Sequence, residues 1–458
     1  MIALQPAAPK LKQMESKLAG KKILFACVPT DGHFNPLTGL AKYLREQGCD
    51  VRWYASSIYK DKLQRMDIPY YPFVKAPDIN GNNLHQLVPE IKTAGGVEKS
   101  ILYQKHLFAG HAIENYDDIR QIHESFPFEL MIADSMYHVI PFVRYKMQVP
   151  VLSIGIIPLA EDSVDTAPYR SGLTPPENDT VRAEYAALHQ KMQNLFKAPA
   201  SIFTDILQAY DIPFRPSSPV DILIKSADLY LQIGSPGFEY KRSDLGSNIR
   251  FIGALMPYTA KSDKKPWFDE RLNHYKKIIL VTQGTIESDI TKLLEPTLRA
   301  FEHTDTLVIA TTGGNGTEEL RAKFTADNFI IADYIPFSEV MPYASVYVTN
   351  GGYSGTILSI KHKLPMVAAG LYELKNEICA RIGYFKYGIN LKTETPTPEA
   401  ICQAAIEIME DKSYKDNVSR LCGEFDSYHS NELSAAYILE LLENHHMKPS
   451  KKQGHVSH

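Results

Sequence analysis

Short apolar runs rich in Val, Ile and Leu alternate with helical patterns along nearly all of the 458 residues, and they fall into two separate series. The first series holds strand candidates at residues 23–28, 50–55, 130–133, 149–154 and 229–233. The second holds candidates at residues 278–282, 307–310, 329–332, 346–349 and 366–369. Runs that are apolar on both faces and spaced by helices suit a parallel sheet covered on both sides. Two series therefore predict an α/β chain with two doubly wound, Rossmann-like domains facing a cleft.

The pattern divides the chain into an N-terminal domain over residues 1–240, a linker region over 241–269 and a C-terminal domain over 270–430. A helix at 431–446 is expected to pack back on the N-terminal domain, and 447–458 reads as a disordered polar tail. In the first helix Asn35 is the expected cap and Pro36 the first turn, with Leu37, Leu40, Ala41 and Leu44 as its apolar stripe and Gly48 as its stop. Thr397-Pro398 opens another stripe through Ile401, Ala404, Ala405 and Ile408. Residues 70–111 and 158–219 show poor periodicity and read as loop-rich walls.

The net charge of −4 carries no basic excess, which argues against a nucleic-acid partner. The five cysteines are scattered and form no CxxC pair, so reduced thiols are expected. The opening residues lack the apolar core of a signal peptide, and no run is long enough to span a bilayer. A cytoplasmic protein without membrane insertion, monomeric or weakly dimeric, is the expectation.

Open parallel sheets bind ligands beyond the carboxyl ends of their strands, so the loops there carry the chemistry. His33 follows the first strand, and Asp134 ends the strand at 130–133. An Asp that orients an imidazole makes a general base, although a lone loop histidine is more often a packing residue. No serine stands in a GxSxG turn, so an acyl-transfer triad is not supported. In the second domain the strand at 346–349 runs into Asn350-Gly351-Gly352-Tyr353-Ser354-Gly355. Adjacent glycines and a helix N-terminus suit an anion, and a tight strand–helix turn explains the same residues about as well. Gln283-Gly284-Thr285 is a second small loop at the same edge. The Gly313-Gly314-Asn315-Gly316 run lacks the third glycine of GxGxxG and the later acidic residue, so a nicotinamide cofactor is not supported. There is no P-loop and no Asp-x-Asp pair, and neither a cofactor nor a metal is expected.

Residues 333–388 read DYIPFSEVMPYASVYVTNGGYSGTILSIKHKLPMVAAGLYELKNEICARIGYFKYG. With the GHxxP motif at His33, this stretch resembles the inverting, UDP-sugar-dependent glycosyltransferases of the GT-B fold, family 1 type, which include plant flavonoid and microbial macrolide transferases. The resemblance covers nearly the whole chain. It implies that His33 is the catalytic base and Asp134 its support. By the same resemblance Tyr334 stacks on uracil, and the backbone at Phe337 serves the base. Gly284, Thr285, Asn350, Gly352, Tyr353, Ser354 and Gly355 surround the diphosphate, with Asn350 in place of a usual histidine. The ribose-holding acidic position is Leu358, and the sugar-gripping pair falls on Leu374 and Lys375 with Glu373 just before. These departures resemble a bacterial subgroup with an Asn-Gly-Gly-aromatic loop.

The implied reaction moves a hexose, with glucose the first expectation, from a UDP-sugar to a hydroxyl of a small hydrophobic acceptor, with inversion and without a metal. The acceptor, a flavonoid, terpenoid or macrolide-like molecule, is expected on the first domain near Phe34, Phe108, Met136 and Tyr137, where core packing explains each residue at least as well. A non-catalytic nucleotide-sugar-binding relative and a two-domain sugar-nucleotide epimerase stand as alternatives.

Overall fold

The computed structural model describes residues 16–259, 266–284, 287–372 and 374–447. The first sheet contains β1 (Lys22–Ala26), β2 (Asp50–Ala55), β3 (Tyr70–Pro72), β4 (Leu130–Asp134), β5 (Val151–Gly155), β6 (Leu229–Gln232) and β7 (Ile249–Phe251). Its spatial order is β3-β2-β1-β4-β5-β6-β7, and every pairing is parallel. The second sheet contains β8 (Lys277–Thr282), β9 (Thr306–Thr311), β10 (Phe329–Ala332), β11 (Val346–Thr349), β12 (Met366–Ala368) and β13 (Gly388–Asn390). Its order is β10-β9-β8-β11-β12-β13, again all parallel. Each sheet reverses direction of build once, between β1 and β4 and between β8 and β11. Those switch points are where crevices open in doubly wound sheets.

Ten strands lie where the apolar runs place them, because a strand buried on both faces is apolar at every position. Val346–Thr349 and Thr306–Thr311, for example, are buried throughout. Three edge or near-edge strands, β3, β7 and β13, have only three residues each and include Pro72, Arg250 and Asn390. β7 arises inside the stretch expected to be linker and extends the first sheet.

The longer helices are α1 (Asp31–Glu46), α2 (Gly96–His106), α3 (Ala112–Ser125), α4 (Asp179–Leu195), α5 (Lys197–Ala209) and α6 (Pro219–Ser226) around the first sheet. Around the second are α7 (Leu294–Phe301), α8 (Thr317–Lys323), α9 (Tyr353–Lys361), α10 (Lys375–Tyr384), α11 (Pro398–Glu410) and α12 (Lys412–Asp426), and α13 (Ser430–Met447) returns to the first domain. Residues 158–178 and 210–218 are thus loop, as expected, whereas the part between them is helical. Asn178 caps α4 by accepting the Val181 N–H, yet α4 buries no residue, so it carries no apolar stripe to recognise.

α1 starts five residues earlier than the Asn35 cap predicts. The N–H groups of His33 and Phe34 both bond the Thr30 carbonyl at 3.0 Å, which draws Asp31 to Phe34 into the first turn. Pro36 is therefore inside the helix. Phe34, Leu37, Leu40, Ala41 and Leu44 face the core, each buried leucine contributing about 1.5–3 kcal/mol. Gly48 ends the turn with φ +86°, as its position suggests. α13 packs on α1, and Glu443 pairs with Lys17 at 2.8 Å.

The two sheets meet by their carboxyl edges. Gln232 and Ile233, at the end of β6, bond the Tyr353 hydroxyl at the start of α9. From the loop after β5, the Gly172 N–H donates to Glu377 and the Arg170 carbonyl accepts from Asn376, both on α10. Arg381, 1% exposed, donates to Glu239 at 2.9 and 2.8 Å and to Glu377 at 3.1 Å. Burial works against its charge, but the two carboxylates outweigh that and hold the guanidinium firmly protonated.

Candidate active site

His33 stands in the first turn of α1 at the β1/β4 switch point. Its Nδ1 lies 2.8 Å from Asp134 Oδ1. Asp134 is fully buried, and both its oxygens accept backbone bonds, Oδ2 from Val28 N–H at 2.7 Å and Oδ1 from Met136 N–H at 2.8 Å. The carboxylate thus acts as an acceptor toward the ring. That places the imidazole proton on Nδ1 and leaves the lone pair on Nε2. The His33 side chain keeps 18% of its surface exposed.

At the β8/β11 switch point the loop 350–352 is shaped by close neighbours. The Asn350 side-chain amide donates to the Gln283 carbonyl, tying the loop after β11 to the loop after β8. Gly351 has φ +85°, and a Cβ there would stand 2.6 Å from Cys379 Sγ. Burial pushes the Cys379 thiol up to about 12, so it packs and does not react as a thiolate. Gly352 precedes α9 with φ −64°, and a Cβ there meets only Asn350 Oδ1 at 4.0 Å. The first intrahelical bond joins Thr356 N–H to Gly352 at 3.0 Å, so the amides of Tyr353, Ser354 and Gly355 have no intrahelical partner. Ser354 is exposed. Gly355 has a packing reason as well, since a Cβ would fall 2.8 Å from the Tyr347 hydroxyl.

Tyr353, expected among the residues around the diphosphate, turns its side chain away from the loop. Its ring is buried, and its hydroxyl donates to the Ile233 carbonyl at 2.6 Å and accepts from Gln232 at 3.1 Å. Only its backbone belongs to the loop. Gly284 (φ +78°) has open space around its α-carbon. Thr285 and Glu373 lie outside the described residues.

Tyr334 is 71% exposed, with its hydroxyl donating to the Gly313 carbonyl at 2.7 Å. That bond holds the ring against the loop after β9, and Thr317, bonded to Thr312 and Asp333, closes the same corner. The Phe337 side chain instead turns inward against Tyr347, at 6.2 Å between rings. Leu358 packs against the core. Lys375 begins α10, with its Cβ 2.9 Å from the position a Gly370 side chain would take, and its carbonyl lies beside Gly351. The sequence reading missed the supports of this corner. Glu394 accepts from the N–H groups of Leu371 and Tyr372 at 3.1 Å, and Lys292 bridges Glu394 and Glu287 at 3.5 and 2.5 Å.

Beside the base, a small cleft that communicates with solvent is lined by Val28, Pro29, Phe73, Phe108, Tyr137 and His138 among others. Phe108 stands 6.4 Å from the His33 ring. Tyr137 is 4% exposed and reaches Asn115 at 3.4 Å. Met136 packs at the edge of the core between two clusters. Phe34 is a correction: it is fully buried, stacked on Tyr59 at 3.9 Å and next to Trp53 at 4.6 Å, because it continues the apolar stripe of α1 one turn before Leu37. Asp118, buried on α3, was not foreseen. It accepts from the N–H groups of Val74, Lys75 and Ala76 and from the Tyr54 hydroxyl, and so pins the segment that carries Phe73 and Pro77.

Among the described residues no three His, Cys, Asp or Glu side chains converge to hold a metal ion, and no helix is long and apolar enough to cross a membrane. All five cysteines are free.

Two doubly wound sheets meeting by their carboxyl edges, with a His–Asp pair on one and a glycine-rich helix start on the other, make up the GT-B architecture. The solved glycotransferase of kitacinnamycin shares this fold with a TM-score of 0.73 at 16% identity, over 92% of this chain and 99% of that one. The family model described as UDP-glucoronosyl and UDP-glucosyl transferase matches residues 194–430, more than half of the chain, and the chain belongs to that family. It is thus a glycosyltransferase with a UDP-sugar donor. Among curated relatives it is 28% identical to 4'-demethylrebeccamycin synthase of Lentzea aerocolonigenes, over 89% of this chain and 96% of that protein. It is also 28% identical to UDP-glucosyltransferase 1 of Beauveria bassiana, over 87% of this chain and 91% of the relative.

Proposed function

We propose that this UDP-glycosyltransferase moves glucose from UDP-glucose to a hydroxyl of a small, largely hydrophobic natural product, inverting the anomeric carbon and needing no metal ion. The observation that carries the reading is the His33–Asp134 pair, whose Nδ1 is committed to the carboxylate and whose Nε2 stands free at the switch point. His33 Nε2 takes the proton of the acceptor hydroxyl as its oxygen bonds to the anomeric carbon, and the bond from that carbon to the diphosphate oxygen breaks. Asp134 balances the charge that appears on the ring. UDP leaves as an anion held by the amides of Tyr353, Ser354 and Gly355 and by the positive end of α9, a charge-stabilising role that a metal otherwise fills.

Tyr334 serves as the stacking surface for the uracil, Phe337 contributes backbone to it, Gly284 and Asn350 shape the diphosphate floor, and Lys375 stands at the sugar. Residues 1–240 hold the acceptor and 270–430 the donor. Support for glucose comes from the relative named UDP-glucosyltransferase 1. Support for a hydrophobic aromatic, terpenoid or macrolide-like acceptor comes from the cavity wall beside Phe108 and from the relative named 4'-demethylrebeccamycin synthase. The free cysteines suit a reducing, cytoplasmic setting.

The test is UDP release and product mass with UDP-glucose and a panel of phenolic and terpenoid alcohols, with EDTA and with His33→Ala in parallel. An acceptor-dependent hexose adduct that survives EDTA and vanishes in the variant is expected. UDP release indifferent to acceptor and variant would overturn the base assignment.

A further inference from the structure

One residue of the cleft beside His33 carries a buried hydrogen-bond acceptor that no described residue uses. His138 is 2% exposed and lines this cleft. Its Nδ1 lies 2.8 Å from the Met136 carbonyl, an atom that only accepts, so the ring proton sits on Nδ1. Nε2 then carries a lone pair, and among the described residues it has no hydrogen-bond partner. Burial pushes the imidazole down to about 4, so the ring is neutral near pH 7 and the lone pair stays available. Buried polar atoms in native proteins nearly always find a partner, and an orphan in a ligand cavity points to the ligand.

The surroundings fix what kind of ligand group fits. His138 is held edge-on to Phe203, with 4.5 Å between ring centroids, and lies 5.7 Å from Phe108. Phe108 is in turn 6.4 Å from His33, so the two imidazoles flank one aromatic wall. Both ring nitrogens of His111, which lines the same cavity, are also buried without a hydrogen-bond partner. The cleft is therefore lined by apolar side chains together with Asn115, Tyr137 and three histidines, and of these His138 has its proton assigned, so that its unpartnered nitrogen is an acceptor. A hydrocarbon, an ether or a carboxylate leaves that atom unmet. An O–H group satisfies it.

Resting on the reading of His33 as the base, we propose that His138 determines acceptor specificity: its Nε2 accepts a hydrogen bond from a second hydroxyl, so the preferred acceptors are polyhydroxylated ring compounds and not simple alcohols. One hydroxyl is presented to His33 and glycosylated, while the other is read by His138 and stays free in the product. The role is one of positioning and selection, since His138 exchanges no proton with the reacting atoms.

The test uses the full-length protein saturated with UDP and compares equilibrium binding of 2-naphthol with that of the dihydroxynaphthalene isomers, followed by transfer from UDP-glucose to the same compounds. At least one isomer is expected to bind about tenfold more tightly than 2-naphthol, the scale of one buried hydrogen bond. His138→Phe and His138→Leu both delete the nitrogen, so the readout survives misfolding of either one. In these variants the preference collapses to near one while 2-naphthol affinity holds, and His138→Gln, which keeps an acceptor on a longer side chain, restores part of it. An isomer preference that persists in the apolar variants overturns the proposal, as does the absence of any preferred isomer. Loss of the base assignment reads differently: transfer survives His33→Ala, whereas the binding preference and its dependence on His138 are untouched.

Discussion

In the N-terminal sheet the crevice between β1 and β4 is furnished with side chains, His33, Asp134 and His138, whereas the matching crevice between β8 and β11 is furnished with backbone. There the chain presents Gly351, Gly352 and the first amides of α9, and the side chains nearby turn away: Tyr353 into the domain junction, Phe337 into the core, Asn350 onto the Gln283 carbonyl. The topologies are alike, so topology does not explain the contrast. The tasks do. Taking a proton requires a basic side-chain atom, which backbone lacks. Holding a leaving diphosphate requires several dipoles aimed at one place, and fixed N–H groups supply these without titrating. One crevice should accordingly fail when a side chain is deleted, and the other when a Cβ is added.

The largest expected effect is on the proton side. His33→Ala should lower kcat by about 100- to 10,000-fold while donor KM and thermal midpoint hold, as steady-state kinetics and calorimetry would show. A comparable loss in donor affinity would erase the division of labour between the crevices.

Next comes pH. The buried His138 ring is depressed from 6.5 to about 4. Its contribution to stability is therefore present in full above 6.5 and is lost as pH falls toward 4, because the unfolded chain binds the proton first. The whole depression corresponds to about 3 kcal/mol. Chemical denaturation of wild type and His138→Phe between pH 7 and pH 4 should show the steeper decline in wild type; parallel curves would mean that the ring is not buried neutral.

On the anion side a pair of neighbours separates fold from ligand. Gly351→Ala meets both a positive φ and the Cys379 sulfur, and should cost about 1–3 kcal/mol of stability. Gly352→Ala meets neither, so stability should stay within about 0.5 kcal/mol. Its methyl group should nevertheless raise donor KM, and an unchanged KM would remove the backbone reading of this loop. The smallest effect is expected at the nucleoside: Tyr334→Ala should raise donor KM about tenfold through lost stacking. Tyr334→Phe, which loses only the bond to Gly313, should stay close to wild type.

Legibility in the sequence followed the same physical divide. Strands such as 329–332 and 346–349 were readable to the residue because they are apolar on both faces. The three-residue edge strands β3, β7 and β13 carry Pro72, Arg250 and Asn390 and give no such signal. His33 and Asp134 were findable because strand ends at a switch point converge whatever the packing. Phe34 was misplaced although its signal was present: it stands three residues before Leu37, on the same stripe, and the stripe runs to the core. Tyr353 and His138 were beyond reach, since their directions depend on partners far away in sequence, and an orphaned nitrogen exists only once the protein has closed around it. α4 left no trace because it buries nothing.

The contact between Arg381 and Glu239 bears on how this chain can be recombined. Residues 142 positions apart share one buried ion pair, with Glu377 as a third member and the Leu159 N–H donating to Glu239 at 2.7 Å. Glu239 travels with the N-terminal half and Arg381 with the C-terminal half. A hybrid that grafts either half onto a relative lacking the matching charge strands an ion in the junction, at a cost of about 3–5 kcal/mol. The two halves are thus exchangeable only as a matched set, and shuffling for new donor–acceptor combinations has to move these three residues together.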